Sequence, residues 1–326
     1  MHALIPFAVS LDPDFHKQLS QAQLPQLERL LVALVPEPLD PGDELSLSPP
    51  HERVLAYHYG LPMRDGLLPW AALAASRQAA AAAEPVSDES PVPATGSWAF
   101  ITPCHWQMGQ DHVAMTDPAN LALSEEHSLR LMHTMTPYFA EDGIELAPHQ
   151  AGSWLARSDL FENLACASLD RVAGRDVAAW LPRSPAARTV RRLQSEMQML
   201  LYTDPVNAER ERQGQLPVNS FWIGGCGQWP ESLVLPMTPP SIDTTLRQSA
   251  IAQDAAAHAQ AWQALDASLL ADLNRELEMG HPVSLSLCGE RGSITWTPAA
   301  NERFPRAARL WRRLRLPARK NWMEQL

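Results

Sequence analysis

Asp254 and His258 stand four residues apart in an alanine-rich stretch. On a helix that spacing puts a carboxylate and an imidazole on one face, the arrangement that suits a divalent metal. A second group, Cys104, His105, Asp111 and His112 in PCHWQMGQDH, offers mixed ligands for zinc or another transition metal. If that segment is a strand, Cys104 and His105 point to opposite sides, which favours a structural role. Trp106 beside them would suit a sugar or a nucleobase. A third group is cationic: LDRVAGRD carries Asp170, Arg171 and Arg175, with Arg188, Arg191, Arg192, Arg210 and Arg212 nearby in sequence. Forked guanidinium donors of this kind hold phosphates and carboxylates. Finally, GQLPVNSFWIGGCGQWP packs Gly214, Gly224, Gly225 and Gly227 around Cys226. A phosphate cradle would need these glycines to open a helix, but Gln228-Trp229-Pro230 is a poor helix start and no Lys follows. With no basic neighbour to lower its pKa, Cys226 reads as an inert thiol.

These groups need elements to hold them. Ala3 to Val9 reads as a buried strand closed by Asp12-Pro13, and Leu24, Leu27, Leu30, Leu31 and Leu34 recur at helical spacing before Pro36. Such an opening suits an α/β sheet. Residues 76–96, with an Ala run and three prolines, read as a linker. Beyond it, Ser124 with Glu125 and Glu126 starts a helix that runs to Pro137. A second helix spans about 189–202, with Leu193, Met197, Leu200 and Leu201 on one stripe. Later, Leu265, Leu269, Leu273 and Leu277 share one side of a helix stopped by Gly280. Val283, Leu285 and Leu287 alternate with Ser284 and Ser286 as a half-buried strand, and GERG turns into a second strand, SITWTP.

The 326 residues, 45% hydrophobic and 19% charged, can bury a large core and point to two substructures. The opening MHALIPFAVSLDPDF lacks the form of a secretory signal, and no apolar run approaches the ~20 residues of a membrane span. A cytoplasmic location with four reduced cysteines is the expectation. Net charge is −11, yet residues 301–326 hold eight Lys or Arg against Glu302 and Glu324. This tail reads as a helix with a solvated basic face, buried on the side of Phe304, Leu310, Trp311 and Leu314. The alternative is a polyanion site, which the acidic remainder of the chain would oppose.

From Trp98 to Gly227 a series of segments appears in order: WAFITPCHWQMGQDHVAMTDP, SEEHSLRLMHTMTPYF, SLDRVAGRDVAAWLP, LLYTDPVNAERERQGQ and LPVNSFWIGGCG. This series resembles the inserted cap domain of archaeal-type cofactor-independent phosphoglycerate mutases, members of the alkaline phosphatase superfamily. The resemblance implies an α/β fold, a shortened alkaline-phosphatase-like core sheet with an inserted α+β cap. Residues 1–95 would form the first half of the core plus the linker, 96–227 the cap, and 228–326 the second half with the basic tail. It also implies that Gly224, Gly225 and Gly227 permit a sharp turn and close backbone approach where the chain leaves the cap.

The reaction implied is phosphoryl transfer through a phosphoserine with two divalent metals, manganese or magnesium. Where the family ends its first strand in Asp-Gly, this chain reads IPFAVSLDPD, leaving Asp12 and Asp14 as the nearest carboxylates. In place of a Gly-Ser-Asp turn stand Ser46 and Ser48, the latter a natural helix cap before Pro49. Asp254 and His258 are similar to the family's D-x-x-x-H. The last Asp-His pair has no counterpart, because no histidine follows His281. The leading expectation is therefore a non-catalytic or regulatory relative that needs no cofactor and keeps a pocket for a phosphorylated metabolite around Asp170, Arg171, Arg175 and Asn219, with a protein partner as a further candidate. The first rival is an active divergent phosphomutase or phosphatase with a metal at Asp12, Asp254 and His258. The second is a polyanion- or protein-binding module acting through the tail, although nucleic acid is not the expected partner.

Overall fold

The computed structural model describes residues 1–82, 95–230, 233, 239–299 and 322–326. It divides into two compact units, one formed by Met1–Gly60 with Leu235–Leu326 and the other by Leu61–Val234. The second is thus inserted into the sequence of the first. The basic tail expected to be a helix lies almost wholly outside the described residues, as does much of the expected linker.

The first unit opens with β1 (His2–Ile5), α1 (Pro13–Gln21), α2 (Pro25–Ala33), β2 (Val35–Pro36) and α3 (Pro50–His58). Asp12 caps α1 by accepting from the Asp14 amide at 2.8 Å, and Pro13 supplies the first-turn φ that a helix start favours. On α2, Leu27, Leu30 and Leu31 are buried at helical spacing. Contrary to the sequence expectation, Ser48 does not occupy the cap position of α3. Pro49 does, with no side-chain cap, because the helix begins one residue later.

The second unit carries α4 (Trp70–Ala82), β3 (Ser97–Cys104), β4 (Trp106–Met108), β5 (Val113–Met115), α5 (Glu125–Glu141), β6 (Glu145–Gln150), β7 (Ser153–Arg157), α6 (Leu169–Val172), α7 (Ala187–Tyr202), α8 (Pro205–Arg212) and β8 (Ser220–Gln228). Its antiparallel sheet has the order β6-β7-β3-β8. Side chains alternate across it. Ala99, Ile101, Trp154, Ala156, Phe221 and Ile223 pack with α5 and α7, whereas Trp98, Phe100, Leu155 and Ala147 meet Ala71 and Ala75 of α4. The expected linker therefore begins as a helix, and the unit boundary falls at Gly60/Leu61 rather than near 95, because small alanines seat α4 on the sheet. Ser124 caps α5 as expected, but the helix runs through Pro137 to Glu141. Packing of Met132, Met135 and Phe139 outweighs the one helical hydrogen bond that Pro137 forfeits.

The chain returns to the first unit with β9 (Ser241–Ile242), α9 (Arg247–Ile251), α10 (Ala255–Leu265), α11 (Ala271–Glu278), β10 (Ser284–Cys288), β11 (Ser293–Thr297) and α12 (Trp322–Gln325). These strands complete a mixed sheet, β2-β11-β10-β1-β9, in which β1 runs parallel to β10 and β9 while β10, β11 and β2 are antiparallel. Ala3, Ile5, Leu285, Leu287, Ile294 and Trp296 share its apolar face with α2, α10 and α11. Between α10 and α11, Asp266–Leu270 form a π-helical turn. The extra residue rotates the stripe, so Leu270 and Leu273 are buried and the expected Leu269 is only partly so. The same turn points buried Asp266 at the start of α2, which has no cap of its own. Its carboxylate accepts from the amides of Gln26 at 3.1 Å and Leu27 at 2.8 Å.

Candidate functional site

The three residues expected to hold a metal are all in the first unit, and each has a local task. Asp12 caps α1. Asp254 does not lie on a helical face with His258; it is the cap of α10, accepting from the Ala257 amide at 2.9 Å. His258 is buried, stacks edge-on against Phe15 with ring centroids 5.0 Å apart, and donates from Nε2 to the Phe7 carbonyl at 2.8 Å. Burial lowers its pKa, and the hydrogen bond to the Phe7 carbonyl only partly offsets this. One turn further along α10, Trp262 donates to the Ala8 carbonyl at 3.0 Å. His258 and Trp262 thus clamp the segment that leaves β1, where Phe7 adopts φ 57°, a strained value for a residue with a β-carbon. Among the described residues no three or more His, Cys, Asp or Glu side chains gather as a metal site. The residues present do not fit the pair of divalent ions that the sequence resemblance implies.

Of the serines, Ser48 is buried and Ser46 accepts from Arg53 at 3.3 Å. Arg53 joins this loop to its surroundings, pairing with Asp40 at 2.9 Å and donating to the carbonyls of Ser48 and Arg291, each at 3.0 Å.

In the second unit, Ser168 caps the single-turn α6 by accepting from the Asp170 amide at 3.4 Å. Arg171 is buried with its guanidinium 6.0 Å from the Trp180 ring centre, while Asp170 and Arg175 are half-buried. Asn219 is spent otherwise. Its Oδ1 accepts from the Trp106 amide at 2.7 Å and its Nδ2 donates to the Trp106 carbonyl at 2.9 Å, so the side chain acts as a strand partner for β4. Arg191 and Arg192 are exposed on α7, the latter paired with Asp142 and Glu196. Arg210 is fully buried and donates to the carbonyls of Leu216 and Leu121.

The Cys104, His105, Asp111 and His112 group is dispersed. Cys104 is buried and its thiol pKa is raised by burial, His105 bonds the Pro217 carbonyl at 2.8 Å, and Asp111 and His112 are exposed on the β4–β5 turn. The glycine-rich stretch is neither a cradle nor a sharp turn but the strand β8. Gly224 pairs with Phe100 and Gly227 with Trp98, so β8 carries one extra residue, a bulge, with Gly225 at φ 61°. A β-carbon on Gly225 would lie 2.8 Å from the Phe100 ring and 3.3 Å from the Ala71 amide nitrogen. The left-handed φ and the nearness of the Phe100 ring, with α4 close behind, demand glycine there.

One cluster escaped the sequence reading. On the sheet face opposite the apolar core, His2 Nε2 shares a hydrogen bond with Ser286 Oγ at 2.8 Å, and Ser286 Oγ with Thr295 Oγ1 at 2.7 Å, across β1, β10 and β11. His58 of α3 stands edge-on to His2 at 6.0 Å. Burial and the neighbouring His58 bring the His2 pKa down to about 4. The strand read as half-buried is therefore covered on both faces; Ser286 is inaccessible. The alternation of serines in VSLSL carried the signal, but it looks the same for a solvated face.

The fold and these sites define a mixed α/β protein with one mixed five-stranded sheet and one antiparallel four-stranded sheet. Among solved structures the chain is similar to the cofactor-independent phosphoglycerate mutase from Thermoplasma acidophilum, at 13% identity over 91% of this chain and 89% of that one, with a TM-score of 0.34. It is also similar to the PH0037 protein from Pyrococcus horikoshii, at 11% identity over 100% and 97% of the two chains, with a TM-score of 0.43. No protein-family model and no curated protein matches the chain. No helix among the described residues is long and apolar enough to cross a membrane.

Proposed function

We propose that this chain is a phosphoglycerate-mutase-like protein without mutase turnover, and that its second unit holds a small phosphorylated metabolite beside Asp170, Arg171 and Arg175. The observation that carries the first half is the engagement of Asp12, Asp254 and His258. Two carboxylates are committed to helix caps and the imidazole to the Phe7 carbonyl, so a metal would have to displace hydrogen bonds that hold α1, α10 and the β1 exit. Support for the second half is the α6 segment, where Trp180 flanks buried Arg171 and half-buried Arg175 follows within four residues. Asn219 leaves the proposed ligand set because Trp106 takes both ends of its amide.

The test is elemental analysis of the purified protein, followed by manganese-dependent mutase and phosphatase assays on 2- and 3-phosphoglycerate. The expected result is no turnover in either. Robust turnover abolished by Asp254→Ala would overturn the reading. Calorimetric titration with 3-phosphoglycerate tests the pocket, where Arg175→Ala should weaken binding about tenfold, the loss of one charge-assisted hydrogen bond. Unchanged binding in that variant would refute the placement.

A further inference from the structure

Cys166 and Cys226 bring their sulfur atoms to 3.5 Å, sixty residues apart in sequence, inside the core of the second unit. Both are free thiols in the structure, as are Cys104 and Cys288. A disulfide places its sulfurs about 2.05 Å apart, so closure requires a movement of about 1.5 Å. Rigid strands resist such a shift, but neither cysteine sits in regular pairing. Cys226 falls within the β8 bulge between Gly225 at φ 61° and Gly227 at φ 137°, the two residues whose backbone tolerates the widest range of conformations. Cys166 lies in the irregular segment that leads to α6, tied by its own amide to the Gly66 carbonyl at 3.0 Å and, through Ala167, to the Trp222 indole at 2.9 Å. The other two cysteines differ on this point. Cys104 is in register with Ser220 and Cys288 with Ser293, each a regular pair at the end of its ladder.

We propose that Cys166 and Cys226 form a reversible disulfide, closed by hydrogen peroxide and opened by a dithiol. In the first step one sulfur attacks the peroxide O–O bond and gives up its proton, yielding a sulfenic acid and water. The second sulfur then attacks the first, forming the S–S bond, while the departing hydroxyl takes the second thiol's proton and leaves as water. Two thiols are oxidised and one peroxide is reduced to two waters. Local opening of the packed interior admits hydrogen peroxide, and a dithiol reaches the bond through the same opening. Burial and the adjacent Cys166 push the Cys226 thiol well up, so the reaction is slow compared with that of an exposed thiolate. The bond would fasten the segment before α6 to β8, two residues from the Ser168 cap. The inference does not depend on the function proposed above.

The test treats the full chain, native, with graded hydrogen peroxide, then alkylates remaining thiols in denaturant and maps peptides by mass spectrometry. The expected product is a Cys166–Cys226 cross-linked peptide with Cys104 and Cys288 alkylated, reversed by dithiothreitol. Cys104→Ala should keep the cross-link, and Cys166→Ala should lose it. Uniform alkylation of all four cysteines, sulfinic acid without cross-link, or cross-linking only after unfolding would each overturn the proposal.

Discussion

His2 is neutral in the folded protein because its ring is largely removed from water and faces His58, and that gives the stability a calculable pH dependence. Its pKa falls from 6.5 to about 4 on folding. A histidine with a depressed pKa binds a proton more readily when unfolded, so its contribution is fully present above about pH 6.5, declines as pH falls, and is exhausted near pH 4. The whole shift corresponds to about 3 kcal/mol, and partial solvent exposure reduces this to about 2. Between pH 7 and pH 5 alone the loss is about 1–2 kcal/mol. His2→Gln removes the titration while retaining a donor and an acceptor for Ser286. Urea unfolding of both proteins at half-unit steps from pH 7.5 to 4.5 isolates His2, because His149 and His258, whose pKa values are also lowered by burial, contribute equally to the two curves. The variant should be less sensitive to acid by about 1–2 kcal/mol across that range. Parallel curves would refute the reasoning, as would a direct NMR titration of His2 near 6.5.

Two further substitutions probe the architecture. Asp266→Ala strips the start of α2 of its acceptor and leaves the buried Leu27 amide and the half-buried Gln26 amide unpaired, so urea unfolding should show a loss of about 2 kcal/mol. Gly225→Ala imposes a left-handed backbone on alanine and drives its β-carbon against Phe100, for a cost of about 2–3 kcal/mol; Gly143→Ala, at φ 70° in open space, should cost about 1, so equal losses would count against the packing argument.

Local chemistry was the legible part of the sequence. Ser124 caps α5, the β10–β11 hairpin turns at GERG, and the apolar stripes of α2 and α7 face their cores, because each depends on neighbours within a few residues. What escaped was set at long range. Asp254 and His258 have the spacing of a shared helical face, yet the helix starts between them, and only the position of Phe7, some 250 residues earlier, assigns the imidazole its partner. Asn219 looked like a ligand group until Trp106 came within reach. The leucine stripe after Leu265 was displaced by a π-helical turn whose Asp266 accepts from amides of α2, 240 residues earlier in sequence. The opposite face of the first sheet was invisible because serines covered by a helix and serines in water make the same alternation.

The pairing of β1 with β10 joins His2 to Ser284 and Ile5 to Leu287. β1 must therefore wait for about 280 further residues before its central neighbour exists, whereas every strand of the antiparallel sheet arrives within one continuous stretch. Synthesis thus favours a nascent chain in which the inserted unit is already folded while the opening sixty residues remain without their sheet, a period in which β1 is exposed to wrong partners.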